Sequence, residues 1–438
     1  MRRKLPLLLL LCLGLSGCGS AGSGISTVKA EVPDSIKGGA SDFINSEEYV
    51  KWLQGRREAE MKVGNFQMQI YPFYREVMRE ILSGEDTNTV VSPVNLYLAL
   101  GMLSEAADGA TREQILNLTG CADIAQMRER AQYLFDAGYA DTPVCKVMPG
   151  SSVWLNSSLY TSQECLQKLS SVYRADSFSG VMGSEEMNKA LQNWTNEKTG
   201  NLLQDYVSGM KTEKDTAMEM VSTLYLKGQW SEPFSEQETK ESIFHGSRGD
   251  ETVPFLNGTE TGTYYYGEQF SGIARSIADV GTMYFFLPEE GLSPQNLIDD
   301  DQVLSLLENP YESDGAVQAR IRESIPKFSA SSKTDLIAPL QKLGVTDAFD
   351  AGRADFSALL PASENPPVCL AKADHAAMVM IDEEGVTGAA YTEFGMTMAA
   401  LPPENEISFV LDRPFLFVVT GDDNSILFAG TVYTVQAE

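Results

Sequence analysis

Asn88-Thr89-Val90-Val91-Ser92-Pro93-Val94-Asn95 leads into Leu100-Gly101-Met102-Leu103, then Ala110-Thr111 and Gln114-Ile115, within a chain of 438 residues. Helices are predicted here over 94–107 and 111–118, and further on over 162–174 and 184–199. Upstream, Phe66, Ile70, Phe73, Val77 and Ile81 recur at spacings of three and four, which is helix periodicity. Pro72 falls inside that pattern and is expected to kink the helix or break its first turn. Strand-like runs lie at 151–156, 217–226, 281–287, 376–381, 407–411, 415–420 and 426–435. They do not alternate regularly with the helices, so the predicted class is α+β with large mixed sheets, not a doubly wound nucleotide fold. There is no internal repeat.

More blocks follow in order. Asn193-Trp194 precedes Lys198-Thr199-Gly200. Leu224-Tyr225-Leu226-Lys227-Gly228-Gln229-Trp230 is followed by Pro233-Phe234. Ile325-Pro326-Lys327-Phe328 comes before Leu343-Gly344, Ala348-Phe349 and Ala354-Asp355-Phe356-Ser357. Arg413-Pro414-Phe415-Leu416-Phe417 and Ile426-Leu427-Phe428-Ala429-Gly430 close the chain. Together with the opening stretch, these blocks resemble the serpin family in order and spacing over about 65–435. The resemblance implies one domain, three mixed sheets, eight or nine helices, and an exposed reactive loop near the C-terminus, at about 383–404. It also implies a hydrogen-bonded shutter at Ser92, Asn95, Ser222 and His375, with Ser222 where the family usually has Asn and Asn95 where Ser is common. Trp230 and Glu383 match the region where the loop first enters the sheet.

The segment Asp382-Glu383-Glu384-Gly385-Val386-Thr387-Gly388-Ala389-Ala390-Tyr391-Thr392 resembles the hinge of an inhibitory serpin. A strand that slides between two others must carry small or apolar inward side chains and no proline. Every second residue from Val386 gives Val386, Gly388, Ala390, Thr392, Phe394 and Met396, none of them charged. The other face carries Thr387, Ala389, Tyr391, Glu393, Gly395 and Thr397, and the first proline is Pro402. This alternation fits a strand with one buried face. Val386 stands where many inhibitors carry Thr, and Gly388 and Tyr391 where Ala is frequent. By the family's spacing the scissile bond is Ala399–Ala400, with Met398 and Leu401 as neighbours. The run is small and apolar without Arg or Lys, which suits an elastase-like or subtilisin-like serine protease. The alternative is a non-inhibitory serpin acting as a surface binding module.

The formal charge of −28 and the absence of basic blocks beyond the first four positions exclude nucleic-acid binding. Only two histidines occur, His245 and His375, and no catalytic, metal-ligand or phosphate-binding motif is present, so the chain reads as a non-enzyme without cofactor or metal. Asn117, Asn156, Asn193 and Asn257 open Asn-x-Ser/Thr triplets that read as plain surface residues. Arg2, Arg3 and Lys4 precede the apolar run Leu5 to Leu15, which is too short to span a bilayer. Leu15-Ser16-Gly17-Cys18 then resembles a bacterial lipoprotein signal over 1–17, with Cys18 lipidated and the body extracellular at the cell membrane. The other reading is a plain secretory signal cut near Gly17 or Ala21. Residues 18–64 read as a Gly/Ser/Ala-rich tether and a loosely attached helical lead-in, and 65–438 as the folded, monomeric domain. Cys121, Cys145, Cys165 and Cys369 show no metal spacing; buried free thiols are favoured over disulfides.

Overall fold

A computed structural model describes residues 24–84, 86–202, 204–310, 315–386 and 405–435. Helix formation follows local rules. The opening block holds the strand Thr89–Val91 and the helix Pro93–Ala106. The Ser92 hydroxyl accepts the Asn95 N–H at 3.3 Å, and Pro93 occupies the first turn, where no intrahelical donor is missed. Every residue of this helix is buried, so it threads the centre of the molecule. The helix Gln67–Ile81 runs through Pro72 without breaking; Pro72 faces solvent, where losing one backbone bond costs least.

Two sheets carry the body. The first contains, in spatial order, Ser26–Val28, Ala175–Gly180, Lys146–Asn156, Met218–Gln229, Leu370–Met380 and Ser329–Asp335. The second has nine strands, from Glu406–Val410 at one end to Thr89–Val91 at the other. Where three sheets were expected, the 18-residue strand Gly249–Tyr266 runs continuously from one curved layer into the next and joins them by hydrogen bonds. Eight of the described helices have eight residues or more, and the others are single short turns.

The main core fills the space between the sheets and the central helix. A second apolar cluster lies on the opposite face of the first sheet. There Trp154 stacks on Phe178 at 4.0 Å, and the helix Glu185–Lys198 covers the sheet with Met187, Leu191 and Trp194. The middle strands of this sheet are therefore buried on both faces.

The expected tether and loose lead-in need correction from Gly24 onward. Ser26–Val28 adds an antiparallel edge strand beside Ser177–Ser179. Further on, Ala30 N donates to the Asp176 carboxylate Oδ1 at 2.9 Å, and backbone bonds follow from Glu31 N to Ser170 O at 3.1 Å and Ile36 N to Asp141 O at 2.9 Å. The helix Glu47–Gly64 buries Arg56, which donates to Val280 O at 3.0 Å and pairs with Glu60 at 3.0 Å. Edge pairing uses backbone groups and needs few large apolar side chains, so composition gave no sign of it.

Candidate functional site

The site is the seam between the strands Met218–Gln229 and Leu370–Met380. These two run parallel and pair directly, Met218–Thr223 against Leu370–Ala376. Beyond Thr223 and Ala376 this pairing stops. At the far end of the first strand, Gln229 and Gly228 pair instead with Gly385 and Val386, in the antiparallel sense. The sheet is thus closed below and split above, and a short antiparallel segment already sits at the mouth of the split.

The mouth is built from several elements. Asp382 Oδ1 accepts the N–H groups of Glu384 and Gly385 and so sets a tight turn. Gly385 approaches the neighbouring strand so closely that a Cβ would lie 2.0 Å from the Gly228 carbonyl oxygen. Val386 is 0% exposed, which puts the first inward position of the hinge in the core as its alternation required. Trp230 donates from its backbone N–H to Glu384 O and from its indole to Asp382 O, both at 2.9 Å. Phe234 N donates to Glu383 O at 2.8 Å.

The Glu383 carboxylate accepts from Lys327 Nζ at 2.7 Å and from Thr239 Oγ1 at 2.8 Å. Burial pushes this carboxyl up, but those two bonds outweigh it and hold it below the ordinary range. Behind them Arg275 lies 4.0 Å from the Phe234 ring centre and pairs with Glu260 at 2.8 Å and with Glu323. Burial pushes Glu323 up to about 7 against that pairing. Lys327, Thr239 and Arg275 were not legible as site residues. Lys327 stood in a quoted block, but only the fold brings it to a partner 56 residues away.

Lower down, the structure brings Ser92, Ser222 and His375 together. Ser92 N–H donates to His375 Nε2 at 3.0 Å, and Ser222 Oγ lies 3.0 Å from His375 Nδ1. A backbone N–H can only donate, so Nε2 is the acceptor and the ring is neutral, with its proton on Nδ1 directed at Ser222. Asn95 is buried beside this network, yet its side-chain amide has no partner in it. The network is therefore a Ser–His–Ser chain, shorter than the expected set. Thr387, Gly388, Ala389, Ala390, Tyr391 and Thr392 of the hinge, the bond Ala399–Ala400 with Met398 and Leu401, and Cys18 lie outside the described residues. Cys121, Cys145 and Cys165 are buried free thiols, and Cys369 is a half-buried one. Among the described residues no cluster could hold a metal ion, and no helix is long and apolar enough to cross a membrane.

Complete burial lowers the His375 pKa from 6.5 to about 4. Between those values the unfolded chain binds the proton and the folded chain does not. The stability from the neutral ring is thus full above pH 6.5 and falls as pH drops toward 4, by about 3 kcal/mol in all. Urea unfolding between pH 7.5 and 4.5 checks this. The wild type is expected to lose more stability over that range than His375→Gln, whose stability is lower at pH 7.5 but flatter.

Comparison with known proteins meets this geometry. A family model described as "Serpin (serine protease inhibitor)" matches residues 70–435. Serpin-Z2B of Oryza sativa subsp. japonica is 27% identical over 379 residues, covering 79% of this chain and 91% of that one. Alpha-1-antiproteinase 2 of Equus caballus is 27% identical over 374 residues, covering 83% and 84%. Among solved structures, the thermophilic serpin tengpin in its native state superimposes with a TM-score of 0.74 at 23% identity, covering 93% of this chain and 98% of that chain. A thyroxine-binding globulin in complex with thyroxine gives 0.71 at 23% identity, covering 85% and 100%. With its seam, its turn at the mouth and this match along nearly the whole body, the chain belongs to the serpin family, whose members are mostly protease inhibitors.

Proposed function

We propose that the chain is a suicide-substrate inhibitor of a serine protease with a shallow apolar pocket, elastase-like or subtilisin-like. The observation that carries this is the Gly385–Val386 segment, paired antiparallel at the top of a seam whose two strands are parallel. A strand entering a parallel pair can run antiparallel to both neighbours and complete both ladders.

Continuing the observed register along the strand places Gly388 opposite Leu226, Ala390 opposite Leu224 and Thr392 opposite Ser222. Phe394 and Met396 then fall opposite Met220 and Met218, at the strand's end. Met218, Met220, Leu224 and Leu226 all face the main core. Every loop residue on that face is therefore uncharged, and the twelve residues from Gly385 to Met396 cover about 40 Å. A binding module with no insertion would tolerate a charge or proline there, and neither occurs.

In the reaction the protease serine Oγ attacks the Ala399 carbonyl carbon. The bond to the Ala400 nitrogen breaks, the freed amine takes a proton, and an ester joins Ala399 to the protease. Residues N-terminal to the cut, no longer tied at both ends, enter the seam and draw the acyl-enzyme across the sheet. Water then fails to complete deacylation because the protease site is distorted. Buried Phe394 and Met396 contribute about 1.5–3 kcal/mol each, and the added ladder contributes further. We also propose that Cys18 carries a lipid that holds the protein at the outside of a bacterial cell membrane.

Incubation with a pancreatic-type elastase followed by a denaturing gel tests the inhibitor reading. A stable covalent adduct is expected for the wild type, and only a clipped product for Ala390→Pro, which removes a ladder donor and breaks the strand. Clipping without an adduct in the wild type, or undiminished inhibition by Ala390→Pro, contradicts it. For the anchor, metabolic labelling with a radioactive fatty acid should mark the wild type and leave Cys18→Ala unlabelled and released. A Cys18→Ala protein that stays on the membrane rules it out.

A further inference from the structure

The closed part of the seam carries a second interaction besides Ser222 and His375. Glu219 and Asp374 point away from the main core, toward the face roofed by the helix Glu185–Lys198. They are only 1% and 2% exposed. Glu219 stands directly across the seam from Lys372, with Nζ 4.0 Å from Oε2. Lys372 is shared with Asp374 at 3.3 Å, and Lys333 of the next strand reaches Asp374 at 3.4 Å. Neither Glu219 oxygen has a hydrogen-bond partner at normal geometry. Two buried carboxylates are thus met by two partly exposed ammonium groups, and Glu219 is met only while the two strands are neighbours.

A strand entering between them moves Glu219 and Lys372 from one strand spacing apart to two, about 10 Å. Lys372, Asp374 and Lys333 lie on the same side and stay together. Glu219 alone lies on the other side and loses its cation from a site that is 1% exposed and flanked by Glu213. A buried charge stripped of its partner is among the costliest groups in a protein. The Ser222–His375 bond differs in kind: both groups are neutral, and an incoming backbone can satisfy them.

We propose that Glu219 and Lys372 form an ionic lock across the seam that slows strand entry, making Glu219 a positioning residue that sets the rate of inhibition. This rests on the insertion reading above. Burial raises the Glu219 pKa, opposed by Lys372 and the Glu213 backbone and reinforced by the Asp374 and Glu213 carboxylates. Acid therefore discharges this carboxylate earlier than an ordinary one, and the lock opens as pH falls.

The test is uptake of a fluorescent peptide copying Val386–Thr397 by the intact protein, followed on native gels at pH 7.5 and pH 5. Glu219→Gln is expected to take up the peptide about tenfold faster than wild type at pH 7.5, and to gain less on acidification. Glu219→Met, of similar volume and uncharged, serves as the second variant. Glu105→Gln is the control: Glu105 is equally buried and paired with Arg128 at 2.7 Å, with no partner on either seam strand. It should lose stability yet keep the wild-type uptake rate. If the wild type takes up peptide and both Glu219 variants do so no faster, or Glu105→Gln is accelerated equally, the lock is overturned. If the wild type takes up no peptide at either pH, the insertion reading fails and the lock falls with it.

Discussion

The structure depends on one pairing, the parallel ladder between Met218–Thr223 and Leu370–Ala376. It covers six residues of a strand that is twelve residues long. Above it, among the described residues, only Gly385 and Val386 pair with the first strand on this side. A ladder bond contributes a net of about 0.5–1.5 kcal/mol, so this pairing is worth less than a ladder along the full strand would be. A full strand in its place would form two ladders and bury a row of side chains. On the insertion reading proposed above, the fold is held in an arrangement with fewer contacts than it could make, because an intact loop is tied at both ends.

Three groups of residues hold that arrangement at three heights. At the mouth, Glu383 joins Lys327 and Thr239, while Trp230 holds the turn at Asp382 and Glu384. In the middle, neutral His375 links Ser92 on the central helix's cap to Ser222 on the seam. Below, Glu219 and Lys372 face each other across it. The first is an ion pair outside the closed ladder, and the second is a chain of neutral groups. The third is a charge pair across the closed ladder itself, which is the basis of the proposed lock.

Much of this was legible in the sequence. A strand's side chains alternate, so counting put Val386 inward, and Val386 is fully buried; the rest of that set lies outside the described residues. Helices at 94–107 and 184–199 matched observed helices to within a residue; each opens at a Ser cap, at Ser92 and Ser184. Other features carried no local signal. Residues 24–36 attach through backbone bonds, which composition does not reveal. Nothing in the sequence marked Glu219 and Asp374 as buried, since one face of a strand is ordinarily wet; here a second apolar cluster lies over that face. Asn95 was placed in the shutter by likeness of position, yet its amide is left out because Ser222 and Ser92 already saturate the imidazole.

The central claim is that the folded sheet holds a vacancy for one more strand of the chain's own loop. Melting intact protein beside protein nicked at Ala399–Ala400 measures this most directly, by circular dichroism in the same buffer. The nicked chain is predicted to unfold at a distinctly higher temperature than the intact one, because cutting releases the loop to complete both ladders. A nicked chain that melts at the same or a lower temperature would contradict the account.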